Sequence, residues 1–134
     1  MTGQQHVILF LILLLVCLIA IFVFPEPIRN FIPVIWGFIG FGFHALLFML
    51  SCLMFNSILF DKHIDFIQEK RIDYYNHPFI GKSIHIIDIF FRRKELESIS
   101  KEIKVKLLHC LTLLRLTLIA FFITAIFGFL IVLT

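Results

Sequence analysis

Three long apolar segments, separated by shorter polar ones, dominate the pattern along the chain. Residues 7–24 and residues 33–60 carry no formal charge, and residues 105–133 carry only Arg115 beyond their first turn. At about 1.5 Å per residue, a helix over the shortest of these segments spans roughly 27 Å, which is close to the thickness of a bilayer core. The pattern therefore predicts an all-α integral membrane protein with three transmembrane helices in a single domain, residues 1–134.

The connections between these segments differ in length. Residues 25–30 form a tight turn that contains Pro25 and Pro27, so the first two spans are predicted to form an antiparallel helical hairpin. Residues 61–104 separate the second span from the third. Residues 1–6 contain no Lys or Arg and no small-x-small cleavage site follows the first span, so we expect a retained helix and no cleaved signal peptide.

The long loop is predicted to be helical and amphipathic. Residues 61–75 continue the second helix, and carboxylates at four-residue spacing form an acidic stripe on it: Asp61, Asp65, Glu69 and Asp73. Residues 95–108 form a helix that runs unbroken into the third span. Its apolar stripe consists of Leu96, Ile99, Ile103 and Leu107.

Residues 79–94 form the most amphipathic part of this loop. Apolar residues at helical spacing are followed directly by a basic run, and together they make up the predicted docking surface: Ile80, Ile84, Ile87, Phe91, Arg92, Arg93 and Lys94. Such a helix lies on the membrane surface or binds a partner subunit. The alternation over residues 83–86 also fits a short strand.

Composition supports a lipid environment. Sixty per cent of the residues are apolar and 16% are charged, whereas soluble domains average about 45–50% and about 25%. A chain of 134 residues cannot hide that excess in one core. This composition excludes a disordered chain, a coiled coil and a nucleic-acid-binding domain.

The basic residues predict the orientation. Ten of the twelve Lys and Arg residues lie in the long loop or at the start of the third helix, and short loops rich in Lys and Arg face the cytoplasm. We therefore expect the N-terminus and the loop to be cytoplasmic and the C-terminus to lie at the opposite face. A bacterial inner membrane fits best, and a mitochondrial inner membrane is the alternative. Arg115 is expected to snorkel towards the lipid phosphates.

Candidate chemistry is sparse. The three cysteines lie in apolar segments without metal-site spacing, no catalytic motif is present, and no Asp or Glu lies within a span. We therefore predict no enzymatic activity, no cofactor, no metal site and no small-molecule substrate.

The second span contains a buried ionisable group. His44 shares a helical face with Gly37, Gly40 and Ser51, and small residues on such a face allow close helix contact. We expect a neutral His44 that hydrogen-bonds to a neighbouring helix. The alternative is a haem or quinone ligand in a respiratory membrane anchor, with a second ligand from a partner, because His109 lies at another depth.

A basic stretch, residues 90–94, followed by residues 104–110 and an apolar tail to Leu133, resembles membrane immunity proteins against pore-forming colicins. That resemblance implies three spans, a basic cytosolic loop and an immunity function, and it covers under a third of the chain. From the residues themselves we expect an accessory or structural subunit that acts by helix–helix contact. Its expected partners are the bilayer and other membrane subunits or further copies of itself.

Overall fold

The structure, a computed structural model, describes residues 3–78 and 81–133. Its elements are α1 (Gly3–Val23), a 3-10 turn (Ile28–Phe31), α2 (Ile32–Trp36), a π-helical segment (Gly37–Gly42), α3 (Phe43–Lys62), α4 (Ile64–Glu69), β1 (Tyr74–His77), β2 (Gly81–Ile84), α5 (Ile86–Phe91), α6 (Arg93–Glu97) and α7 (Lys101–Leu133). The chain divides into two compact units. The first unit comprises Met1–Phe48 with Leu111–Thr134, and the second comprises Met49–Cys110.

The three predicted spans are confirmed. Helices Gly3–Val23, Ile28–Lys62 and Lys101–Leu133 are each long and apolar enough to cross a membrane, which is consistent with an integral, multi-pass membrane protein. The second helix changes to π geometry at Gly37–Gly42, where three of six residues are glycine. Pro33 lies in the first turn of α2, where its missing N–H group costs no helical hydrogen bond.

Aromatic and aliphatic side chains from all three spans form the core of the first unit. The buried cluster consists of Phe10, Ile21, Ile32, Trp36, Leu116, Ala120 and Phe127. Large apolar side chains also cover its outside, and Phe22, Phe38 and Phe129 are each at least 70% exposed. In a membrane, lipid chains would cover these rings.

The second unit contains a feature that the helical prediction for the loop missed. β1 and β2 form an antiparallel hairpin with Tyr74 opposite Ile84 and His77 opposite Gly81, so the alternation at residues 83–86 does reflect a strand in its first half. Helix α5 starts only at Ile86. A single amphipathic helix over residues 79–94 is therefore wrong, and Phe79 and Ile80 lie outside the described residues.

Two further predicted helices are interrupted. The continuation of α3 ends at Lys62 and resumes as α4, which ends where Arg71 takes a φ of 52°, so Asp73 lies beyond the helix and the acidic stripe is broken. The predicted unbroken helix over residues 95–108 breaks after Glu97. There the Ser98 hydroxyl donates to the Glu95 carbonyl at 2.6 Å, and the Ser100 hydroxyl caps α7 by accepting from the Ile103 N–H at 3.2 Å.

The stripe predicted for this region nevertheless forms the core of the second unit. Leu96, Ile103 and Leu107 have no exposed surface, and Ile99 is half-buried. Helices α3 and α7 pack against each other beside it. Lys62 at the end of α3 pairs with Glu102 at the start of α7, at 3.2 Å.

Candidate functional site

His44 lies in an aromatic cluster of the first unit. Its ring has no exposed surface and makes edge contacts with Phe10 and Phe43, with ring centroids 5.3 and 5.6 Å apart. The predicted packing of His44 against another helix thus takes the form of a ring contact with Phe10 of α1. The hydrogen bond is different from the one expected, because Nδ1 lies 2.6 Å from the Gly40 carbonyl oxygen of its own helix.

The geometry of that bond defines the tautomer. A carbonyl oxygen only accepts, so Nδ1 of His44 carries the hydrogen and Nε2 of the neutral ring is an acceptor. Nε2 is buried, and the described residues provide no hydrogen-bond partner for it. With no surface of the ring open, a haem iron or a quinone would reach Nε2 only if the neighbouring rings moved.

Trp36 is the centre of this cluster. Its indole N–H donates to the Ala120 carbonyl of α7 at 3.2 Å, and its ring meets Phe10 and Phe127 edge-on, with centroids 5.4 and 5.7 Å apart. Gly40 lies directly beneath the indole, and a Cβ added there would be 2.8 Å from the ring. Gly40 is therefore required by a ring of its own helix, which the small-residue pattern alone did not reveal.

A groove opens beside this cluster in the first unit. It has a volume of about 490 Å³, and its lining residues come from the second and third spans: Pro33, Val34, Gly37, Phe38, Thr124 and Gly128. A Cβ added at Gly37 or Gly128 would meet no atom within 4 Å. The Thr124 hydroxyl already donates to the Ala120 carbonyl at 2.8 Å, so its hydrogen is used within α7.

The second unit contains a polar cluster that the sequence analysis missed. The Asn56 side-chain amide donates to the Cys52 carbonyl at 2.8 Å, and its oxygen accepts the Ile84 N–H at 3.0 Å. Asn56 thus joins the end of β2 to α3 and is itself buried. Cys52 of α3 and Cys110 of α7 lie beside it with their sulfur atoms 2.9 Å apart. Buried polar residues within apolar spans are the signal that could have identified these groups.

Only part of the predicted docking surface is exposed in the structure. Ile84 is buried in β2, whereas Ile87 and Phe91 on α5 are 64% and 86% exposed. Arg92 and Arg93 form ion pairs with Glu95 and Glu97, at 3.5 and 2.9 Å. Ile84 therefore belongs to the core of the second unit and is not part of an exposed surface.

The remaining predicted residues have no shared site. Ser51 is half-buried and Lys94 and Arg115 are exposed. Across residues 3–78 and 81–133, no group of three or more His, Cys, Asp or Glu side chains is placed to hold a metal ion.

Comparison with known proteins places no constraint on these sites. No protein-family model, curated protein or solved structure matches this chain. The residues of the chain itself are therefore the basis for its function.

Proposed function

We propose that this protein is a non-enzymatic subunit of a larger membrane assembly, and that it binds a transmembrane helix of another subunit in the groove beside Gly37 and Gly128. The groove is the observation that supports this function. It is apolar, it opens at the side of the spans, and two glycines leave backbone exposed along it. Helices associate in lipid where small residues let their backbones approach closely.

The exposed surface of the spans agrees with this function. The chain has 18 phenylalanines, and those at Phe38 and Phe129 point away from the first unit. A helix in the groove would contact Phe38 at one side and the Gly128 backbone at the other. Such contacts are made by van der Waals packing, which drives helix association in lipid.

The direct test is crosslinking from the groove. A photo-crosslinking amino acid in place of Thr124 should give a discrete protein adduct in native membranes. The same amino acid in place of Ala125, an exposed residue outside the groove, should give lipid adducts only. An adduct at twice the mass of the chain would identify a second copy as the partner, and lipid adducts from both positions would contradict the proposed function.

A matched pair of substitutions measures the contribution of the groove. Gly128→Leu fills the groove, so recovery of the crosslinked partner by copurification in mild detergent should fall about tenfold, which corresponds to about 1.4 kcal/mol. Ala125→Leu adds the same side chain to the same helix outside the groove and should leave recovery unchanged. Equal recovery with both variants would show that the partner binds elsewhere.

In the proposed topology the N-terminus and the long loop face the cytoplasm of a bacterial inner membrane. The ten basic residues of the loop and the start of α7 support this orientation. Alkaline phosphatase, which is active only outside the cytoplasm, should be active when fused after Thr134 and inactive when inserted at Gly81. The reverse pattern would overturn the topology. Thr134 itself lies outside the described residues.

The exposed part of α5 provides a second contact, with the membrane surface. Ile87 and Phe91 precede the basic run Arg92, Arg93 and Lys94, and apolar side chains close to basic groups bind anionic lipid surfaces. Trypsin should cut at these basic residues several-fold faster in an Ile87→Ser/Phe91→Ser variant than in the unchanged chain, in vesicles of anionic lipid. Gln68→Ser, at an exposed position on α4, is the control, and equal cleavage of all three proteins would exclude surface binding.

A further inference from the structure

Two cysteine side chains from different helices touch within the second unit. The Cys52 and Cys110 sulfur atoms are 2.9 Å apart, and both residues are free thiols. A disulfide bond is about 2.05 Å long, so the two atoms need to approach by only about 0.9 Å to become bonded. The two residues are 58 positions apart in the sequence, and only the packing of α3 on α7 brings them together.

Other contacts join the same two helices or restrain the turn that carries Cys52. Lys62 and Glu102 join the same two helices at their ends, at 3.2 Å. The Asn56 amide donates to the Cys52 carbonyl at 2.8 Å, which restrains the turn of α3 that carries the thiol. The Cys110 thiol is therefore already in contact with the Cys52 thiol in the folded protein, and no large movement is needed to bring the two together.

The two thiols differ in access. Cys52 is half-buried, whereas Cys110 is only 2% exposed. Both lie in candidate spanning segments. Cys52 is ten residues before Lys62, which is about 15 Å along the helix axis. A reagent at that depth has to be soluble in lipid, because charged groups are excluded from the membrane interior.

We propose that Cys52 and Cys110 form a redox site that reacts with small, uncharged disulfides and closes into a disulfide bond between α3 and α7. The Cys52 sulfur attacks one sulfur of the small disulfide, and the proton of Cys52 passes to the departing sulfur, so a mixed disulfide forms and one small thiol leaves. The Cys110 sulfur then attacks the Cys52 sulfur in the same way, its proton passes to the second departing sulfur, and the second small thiol leaves. The two cysteines are oxidised by two electrons, and the small disulfide is reduced to two thiols.

The test uses the full chain with Cys17→Ser, in lipid vesicles treated with dithiodipyridine, an uncharged disulfide. The expected product has lost two hydrogen atoms, carries no pyridyl group and yields one peptide pair in which Cys52 is linked to Cys110. Dithiothreitol should restore the starting mass. In the same background, Cys110→Ser should stop at the mixed disulfide on Cys52. If the Cys17→Ser chain, in which Cys52 and Cys110 are both unchanged, retains two pyridyl groups or stays unreacted, the proposal is overturned.

A second reagent tests the route of entry. Oxidised glutathione is charged and also has a poorer leaving group than dithiodipyridine, so each rate in vesicles is divided by the rate of the same reagent in detergent, where the spans are more accessible. This ratio should be at least about tenfold lower for oxidised glutathione, because its charge keeps it out of the membrane interior. Equal ratios for the two reagents would refute access through lipid.

Discussion

Different interactions stabilise the interior of each of the two units. In the first unit, rings from the spans meet edge-on around Trp36, and its N–H bond to Ala120 joins α2 to α7. In the second unit, polar groups join the elements: Asn56 binds the end of β2, and Lys62 pairs with Glu102. Large apolar side chains cover the outside of the first unit, whereas charged residues such as Asp65 and Lys70 are exposed on the second.

This difference reflects the solvent. Lipid is as apolar as a leucine side chain, so burying apolar surface does not by itself drive helices together in a membrane. The first unit therefore depends on shape, through close ring contacts and a glycine beneath the indole. The second unit is rich in charge and can gain stability from burying its Leu96, Ile103 and Leu107 stripe and from polar links between elements.

The largest loss of stability is expected at Gly40, where the Trp36 ring leaves no space for a side chain. Gly40→Leu places a side chain where a Cβ is already 2.8 Å from the Trp36 ring, and we expect it to destabilise the first unit by about 3 kcal/mol. Trp36 is the only tryptophan in the chain, so a shift in intrinsic fluorescence measures the displacement of its ring. Gly37→Leu is the control, because a Cβ there meets no atom within 4 Å. Equal fluorescence changes in both variants would contradict the role of Gly40.

The second largest effect is expected at Asn56, whose side chain joins β2 to α3 in the second unit. Asn56→Ala removes the acceptor of the buried Ile84 N–H, and an unsatisfied buried donor costs about 1–3 kcal/mol. Amide hydrogen exchange at Ile84 should become at least about tenfold faster, while that of residues in α1 stays constant. Ser57→Ala changes the exposed neighbour on α3 and should leave Ile84 protected. Unchanged exchange in Asn56→Ala would show that the hairpin is held by other contacts.

A smaller effect on stability is expected when His44, the buried polar residue among the aromatic rings of the first unit, is replaced. His44→Leu removes the Nδ1 hydrogen bond to Gly40 and the ring contact with Phe10. Because the Gly40 bond lies within one helix, only the lost ring contact should weaken the association of α1 with the second helix, by about 0.5–1.5 kcal/mol, measured by thermal denaturation in detergent. An absorption spectrum provides the decisive contrast, because a Soret band that disappears in His44→Leu would identify the residue as a haem ligand and displace the subunit hypothesis.

The smallest effect concerns the end of α4. Arg71 has a positive φ of 52°, and the Ile72 N–H bonds back to the Ile67 carbonyl at 3.1 Å, which is the geometry that usually favours glycine after a helix. Arg71→Gly should therefore stabilise this turn slightly, by about 0.5 kcal/mol, whereas Arg71→Val should destabilise it by about 1 kcal/mol. Hydrogen exchange at Ile72 reports on both, and slower exchange in Arg71→Val would exclude this explanation.

The hydrophobic pattern alone predicted the three spans, the helical hairpin of the first two spans, and the buried stripe at Leu96, Ile103 and Leu107. These features are local, because each depends on the length of an apolar run or on spacing within one helix. The hairpin over residues 74–84 was not predicted, since its strands are four residues long and Ile84 matches helical and strand spacing equally well. Arg71 likewise ends α4 without a glycine to mark the turn.

Only the tertiary structure decided which side chains meet. The sequence shows that Gly40 and His44 share a helical face, but it does not show that the Trp36 indole covers Gly40 or that His44 bonds within its own helix. It contains Cys52, Asn56 and Cys110 as isolated polar or polarisable residues in apolar runs. Contacts between positions far apart in the chain depend on the register in which helices pack, and lipid-facing helices have no apolar stripe that specifies this register in advance.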